Sequence, residues 1–336
     1  MSEVFTDSAV ISSFGKQIEI RRIRIPDLRP NQVLVKILYA SICGSQIFEW
    51  RGQRDNKKWL PHLFGHEAIG EVVASKDCAI DFKSNERVVL SWLSNGLSPS
   101  EVPVYLDENE RRINAGSCAV FSRLAVISQD KIFRIPVEID PKVAPLFGCS
   151  IPTGAGMVKE FSQKRFHEPI LVRGFGGVGI ATSVYLRKLG VQELFVEDLS
   201  DERISKARNM GFKIFDSKKG TEKFLEVYDS TGSATSIETS FELLKAKGTL
   251  IFASHPPKGQ KICIDPFELI QGKRVYGTWG GGISSQKDFN EVVNTLHEEV
   301  RPGDFLGKEF RLEEINEAMQ YSISAQGGRT LLVCDE

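Results

Sequence analysis

The sequence predicts an α/β protein: a doubly wound parallel sheet in its second half, preceded by a compact β-rich domain. Three observations carry this. A glycine turn, Arg173-Gly174-Phe175-Gly176-Gly177-Val178-Gly179, stands between the apolar run Pro169-Ile170-Leu171-Val172 and a stretch, 180–189, with apolar residues at helical spacing. Strand-like and helix-like segments alternate after it. Before it, short runs of alternating apolar residues are broken by proline and glycine.

In the opening region Ile18 and Ile20, Ile23 and Ile25, then Val33, Val35 and Ile37 mark strands, interrupted by Pro26 and Pro30. Next come Ser41-Ile42-Cys43-Gly44-Ser45-Gln46 and Leu63-Phe64-Gly65-His66-Glu67-Ala68-Ile69-Gly70. Cysteine, histidine and glutamate are ligand types that zinc takes, and a glycine before the histidine lets the backbone turn. Taken alone, His66 also suits a structural, hydrogen-bonded role. Residues 88–92 are apolar again, whereas 94–116 hold Pro99, Pro103 and a charged run at 107–112, which reads as an exposed loop with solvated charges. Cys118 has no neighbouring cysteine, so this lobe lacks the four thiols of a structural zinc site. Residues 121–135 read as strand, and Cys149 follows in Leu146-Phe147-Gly148-Cys149-Ser150-Ile151-Pro152-Thr153-Gly154, just ahead of the glycine turn.

Strand, tight turn and helix in that order are what a dinucleotide needs: Gly174, Gly176, Gly177 and Gly179 let the backbone turn and approach a pyrophosphate at a helix N-terminus, with Val178 between them. Asp198 lies nineteen residues past Gly179, at the end of the apolar Leu194-Phe195-Val196. An acid there accepts from both ribose hydroxyls and repels a 2′-phosphate, favouring NAD over NADP, although the glycine pattern also suits a flavin. Ser200 caps a further helix, with Asp201 and Glu202 in its first turn and Gly211 as its stop. Strands are expected at 213–215, ending near 228–232, and at 249–253, with a helix at 236–245. The tail after about residue 285 should hold one amphipathic helix, 312–321, and a last strand, 330–334.

A chain of 336 residues, 41% hydrophobic and 26% charged, is long enough for two cored domains. Net charge is −1, and the densest basic patch, 51–58, also contains Asp55, so it reads as a solvated loop and nucleic acid is not expected as a partner. No apolar run reaches a membrane span and Met1-Ser2-Glu3-Val4 carries no export signal, so a soluble cytoplasmic protein with no membrane partner is expected. Its six cysteines form no regular framework and read as free thiols.

From about residue 33 to 333 the chain resembles the zinc-dependent medium-chain dehydrogenase/reductase family of alcohol dehydrogenase type. The marks are Cys43-Gly44-Ser45, Gly65-His66-Glu67-Ala68-Ile69-Gly70, the Cys149 segment with Thr153-Gly154, and the glycine turn with Asp198. The resemblance implies a Rossmann dinucleotide domain at 151–284 and a GroES-like catalytic domain at 1–150 and 285–336. It implies one catalytic Zn2+ held by Cys43, His66 and Cys149, with Glu67 beside the ion. Ser45 matches the hydroxyl that passes the substrate proton outward, and Thr153 a residue near the nicotinamide. Arg203 matches a cation near the adenosine ribose, and Arg329 a pyrophosphate partner. The expected activity is hydride transfer between NAD(H) and an alcohol or carbonyl compound, in a homodimer or homotetramer. The polar loop 51–59 hints at a polyol or sugar derivative. Three departures stand out: Gln46 where the family commonly has aspartate, Phe48 where some members have a relay histidine, and no structural-zinc cysteines. A zinc-free reductase of the same superfamily and a catalytically silent NAD-binding protein are the competing expectations.

Overall fold

The computed structural model describes residues 3–54, 57–254, 256–324 and 327–335; Met1, Ser2 and Asp55 of the readings above lie outside them. Alternating apolar residues in Gln32–Ile42 place Val33, Val35 and Ile37 in one core, and this strand is the spine of the first half. Around it runs a mostly antiparallel sheet in the order Ile132–Arg134, Arg87–Ser91, Glu67–Lys76, Gln32–Ile42, Arg329–Val333, Leu306–Arg311, with Leu124–Ser128 also paired to the spine. A second antiparallel sheet runs His62–Leu63, Phe5–Ile11, Glu19–Arg24, Tyr105–Asp107, Arg112–Ile113. Segment 94–116 is thus less loop-like than its polarity suggests. Tyr105 is buried, its hydroxyl accepting from the Val126 N–H at 2.8 Å, and buried Asp107 accepts the N–H groups of Asn109 and Arg111. Within 121–135 a 3-10 turn at Gln129–Lys131 divides the expected strand in two.

The second half is the expected doubly wound sheet. Six parallel strands run in the order Lys213–Ile214, Leu194–Glu197, Ile170–Arg173, Phe224–Asp229, Leu244–Phe252, Arg274–Gly277. The helix Gly177–Lys188 follows the glycine turn, and Ser200 caps Asp201–Asn209 through its hydroxyl. The helix expected at 236–245 is Ala234–Glu242, because Leu244 already pairs with Phe224 in the sheet. The tail holds an additional amphipathic helix, Gln286–Leu296, whose Phe289 stacks on Phe133 with centroids 4.5 Å apart. The helix expected at 312–321 is a 3-10 turn followed by Ile315–Ile323. Among the described residues no helix is long and apolar enough to cross a membrane.

Candidate metal and dinucleotide site

Three elements bring Cys43, His66 and Cys149 together. Cys43 directly follows the spine strand and is the N-cap of the helix Gly44–Trp50. His66 precedes the strand Glu67–Lys76, and Gly65, at φ +92°, makes the turn; a Cβ there would stand 2.6 Å from the Phe121 ring. Cys149 is the N-cap of the helix Ser150–Phe161. It is carried against the other two because Gly148 has no side chain: a Cβ would lie 2.4 Å from the Leu90 carbonyl oxygen and 3.1 Å from Glu67 Cα. The Ser91 hydroxyl donates to the Gly148 carbonyl at 2.5 Å and fixes that approach.

The ligand atoms of Cys43, His66 and Cys149 all lie within 4.8 Å of one another. Two thiols and an imidazole are a zinc donor set that leaves a fourth position open. His66 Nε2 is buried and makes no hydrogen bond among the described residues, an orphan that a bound ion would satisfy. Both cysteines are free; the Cys149 thiol donates a hydrogen bond to the Cys43 sulfur and, against burial, holds Cys43 well below the usual thiol range, with Arg329 and His66 reinforcing it. The residues fit a metal of zinc type.

Glu67 is fully buried behind this group, and burial pushes its carboxyl up to about 7, against the pull of Arg329. Arg329 Nη1 lies 3.3 Å from Glu67 Oε1 and donates to the Ile42 carbonyl at 3.1 Å. The same guanidinium reaches the glycine turn, where a Cβ on Gly177 would meet Arg329 Nε at 2.6 Å. Over Gly176, by contrast, a Cβ would meet nothing nearer than Arg203 Nη1 at 3.9 Å. That opening at a helix N-terminus, flanked by guanidinium groups, suits a pyrophosphate. Asp198 is largely buried: Oδ2 accepts the Phe175 N–H at 2.7 Å and Oδ1 the Ser200 N–H at 2.9 Å, with Arg203 Nη1 3.4 Å away. Gly174 makes the turn beneath, Val178 and Gly179 lie in the first turn of the helix that Gly177 begins, and among the described residues neither the buried Thr153 hydroxyl nor that of Ser45 has a partner.

Two neighbours of the site went unremarked in the sequence. Trp92 stands edge-on to His66 with ring centroids 6.4 Å apart, and Trp279, largely exposed, lies edge-on to Trp92 at 5.2 Å. Trp92 closes an apolar run, and an aromatic in that place was the available signal. The contact between Glu67 and Arg329 had none, since nothing local in sequence joins them.

The comparisons agree with this geometry. Residues 29–137 match the family model of the alcohol dehydrogenase GroES-like domain, and 177–298 that of zinc-binding dehydrogenase. An alcohol dehydrogenase of Geobacillus stearothermophilus is 27% identical over 93% of this chain and 94% of its own. Among solved structures, an alcohol dehydrogenase zinc-binding domain protein from Burkholderia ambifaria superposes with a TM-score of 0.89 at 21% identity, covering 99% of both chains. Benzyl alcohol dehydrogenase from Acinetobacter calcoaceticus superposes with a TM-score of 0.86 at 20% identity, over 98% of this chain and 99% of that one. The chain belongs to the zinc-type medium-chain dehydrogenase/reductase family and is an oxidoreductase.

Proposed function

We propose that the protein is a zinc- and NAD-dependent dehydrogenase that passes a hydride between NAD(H) and an alcohol or carbonyl substrate. The observation that carries this reading is the approach of Cys43, His66 and Cys149 ligand atoms to within 4.8 Å of one another. Residues 1–150 and 285–336 form the metal-holding domain and 151–284 the dinucleotide domain, a division supported by the strands: the parallel sheet draws only on residues 170–277, and the other two sheets only on 5–134 and 306–333.

Cys43, His66 and Cys149 hold one zinc ion per chain, which when bound supplies Lewis-acid polarisation of the substrate oxygen. Two sulfurs offset the ion's charge, and buried Glu67 adds a carboxylate behind it. Ser45 takes the alcohol proton; its hydroxyl is buried and has no partner among the described residues. Phe48 has no group to carry that proton further, so its exit would rely on water or on the ribose of a bound cofactor. When bound, NAD supplies the hydride acceptor. Arg203 and Arg329, flanking the open approach over Gly176, would hold its pyrophosphate, Asp198 would hold its adenosine ribose, and Thr153 would stand on the nicotinamide side.

On the substrate side, Trp92 and Trp279 give an aromatic wall that favours an aryl or apolar alcohol, whereas the polar loop at 51–59 favours a polyol or sugar derivative. A homodimer or homotetramer belongs to the reading. Its support is the edge strand Arg274–Gly277, with Tyr276 exposed on it and Phe267 and Ile270 exposed on the helix Pro266–Ile270 before it.

Metal analysis of the purified protein, joined to an absorbance screen for NADH across alcohols, polyols and sugars, tests the proposal. About one zinc per chain in protein equilibrated with excess zinc, and turnover of one substrate class, are expected; less than about half an equivalent at saturating zinc ends it. A zinc-free reductase would keep full activity as Cys43→Ser, and a silent binding protein would turn over nothing.

A further inference from the structure

Gln46 faces two groups at once. Its Oε1 accepts the Cys43 backbone N–H at 2.6 Å, reaching back from the third position of the helix Gly44–Trp50 to its N-cap, while Nε2 bonds His66 Nδ1. The side chain is wholly buried, so no water substitutes for either contact. An amide offers one acceptor end and one donor end, and a backbone N–H can only donate. With Oε1 on Cys43, the amide must donate to His66 Nδ1, which therefore carries a lone pair. A neutral imidazole in that state has its proton on Nε2, the orphan nitrogen that faces the two thiols.

That nitrogen is the one an ion would need. To ligate, Nε2 must give up its proton, and if the proton moves to Nδ1 it meets the amide's NH2, donor against donor. Turning the amide over repairs that contact and sets NH2 against the Cys43 N–H instead. Either arrangement leaves one buried donor without an acceptor. A carboxylate at 46 has acceptors at both ends and meets no such conflict.

We propose that Gln46 is a positioning residue that holds metal-free His66 with its proton on the metal-facing nitrogen, so that zinc uptake is coupled to rearrangement of the amide and zinc is retained weakly. The proposal rests on the zinc reading above. The test compares the wild type with Gln46→Glu, which keeps the side-chain length. Long-range 1H–15N spectra of metal-stripped protein, with the His66 signals assigned by their loss in His66→Ala, should show the proton on Nε2 in the wild type and on Nδ1 in the variant. Competition against a chelator should show zinc bound about ten- to a hundredfold more tightly by the variant. A wild-type proton on Nδ1, or equal zinc affinities, overturns the proposal. Zinc binding by neither protein overturns the function instead, and the spectra still decide the tautomer.

Discussion

Arg329 Nη1 and Glu67 Oε1 lie 3.3 Å apart in the interior, and among the described residues neither carboxylate oxygen meets the geometry of a hydrogen bond. This guanidinium is therefore what keeps a buried charge tolerable next to the thiols. Arg329→Ala should lower stability by up to roughly 3–5 kcal/mol in denaturant titrations at pH 9, where it strands the carboxylate, and by less near pH 6, where the carboxyl, already raised to about 7, takes up a proton instead. Adding Glu67→Gln should recover part of that loss. If the two effects simply add, the pair is not coupled.

Asp198 also ties down the turn, through the Phe175 N–H, so its substitution has two effects. Asp198→Ala should raise NADP use relative to NAD by about tenfold or more while weakening both cofactors somewhat. Steady-state kinetics with each cofactor read the ratio, and an unchanged ratio refutes the ribose assignment.

Trp92 lies between His66 and Trp279. If it forms a wall of the substrate cleft, Trp92→Ala should raise KM for aryl alcohols about tenfold and leave small polyols nearly unaffected. Equal losses on both classes would indicate general disruption of the cleft.

Glu226 is fully buried in the parallel sheet, and burial raises its carboxyl above the usual range, against hydrogen bonds from Tyr228, Gln163 and Ser162. A raised acid binds its proton more tightly in the folded state. Its contribution to stability is complete below the ordinary value of 4.5 and declines as pH rises through the folded value. Glu226→Gln should remove that decline. Unfolding free energies of wild type and variant across pH should therefore converge at the acid end and change in relation to each other above it; parallel curves would contradict the assignment.

Most of the parallel sheet was legible because its signals are local. The glycine turn, Ser200 and Asp198 each act within a few residues, and the structure has them where the pattern requires. What escaped depends on partners far away in the chain. The helix at 234–242 ends early because Leu244 pairs with Phe224, and Asp107 is buried because the segment carrying it joins a sheet begun by Phe5–Ile11. Helix Gln286–Leu296 did carry helical spacing in Phe289, Val292, Val293 and Leu296, but follows a glycine run that reads as loop. At the candidate site the ligand residue types could be read, but the bond from Cys43 N–H to Gln46 could not, since a backbone donor leaves no mark in the sequence.

The strand Arg329–Val333 lies between Gln32–Ile42 and Leu306–Arg311. A ribosome making this chain thus releases the early half with a slot still open in its sheet. The seam closes only when residues 329–333 emerge, so a product stopped before them would lose support around Cys43, which directly follows the strand they pair with.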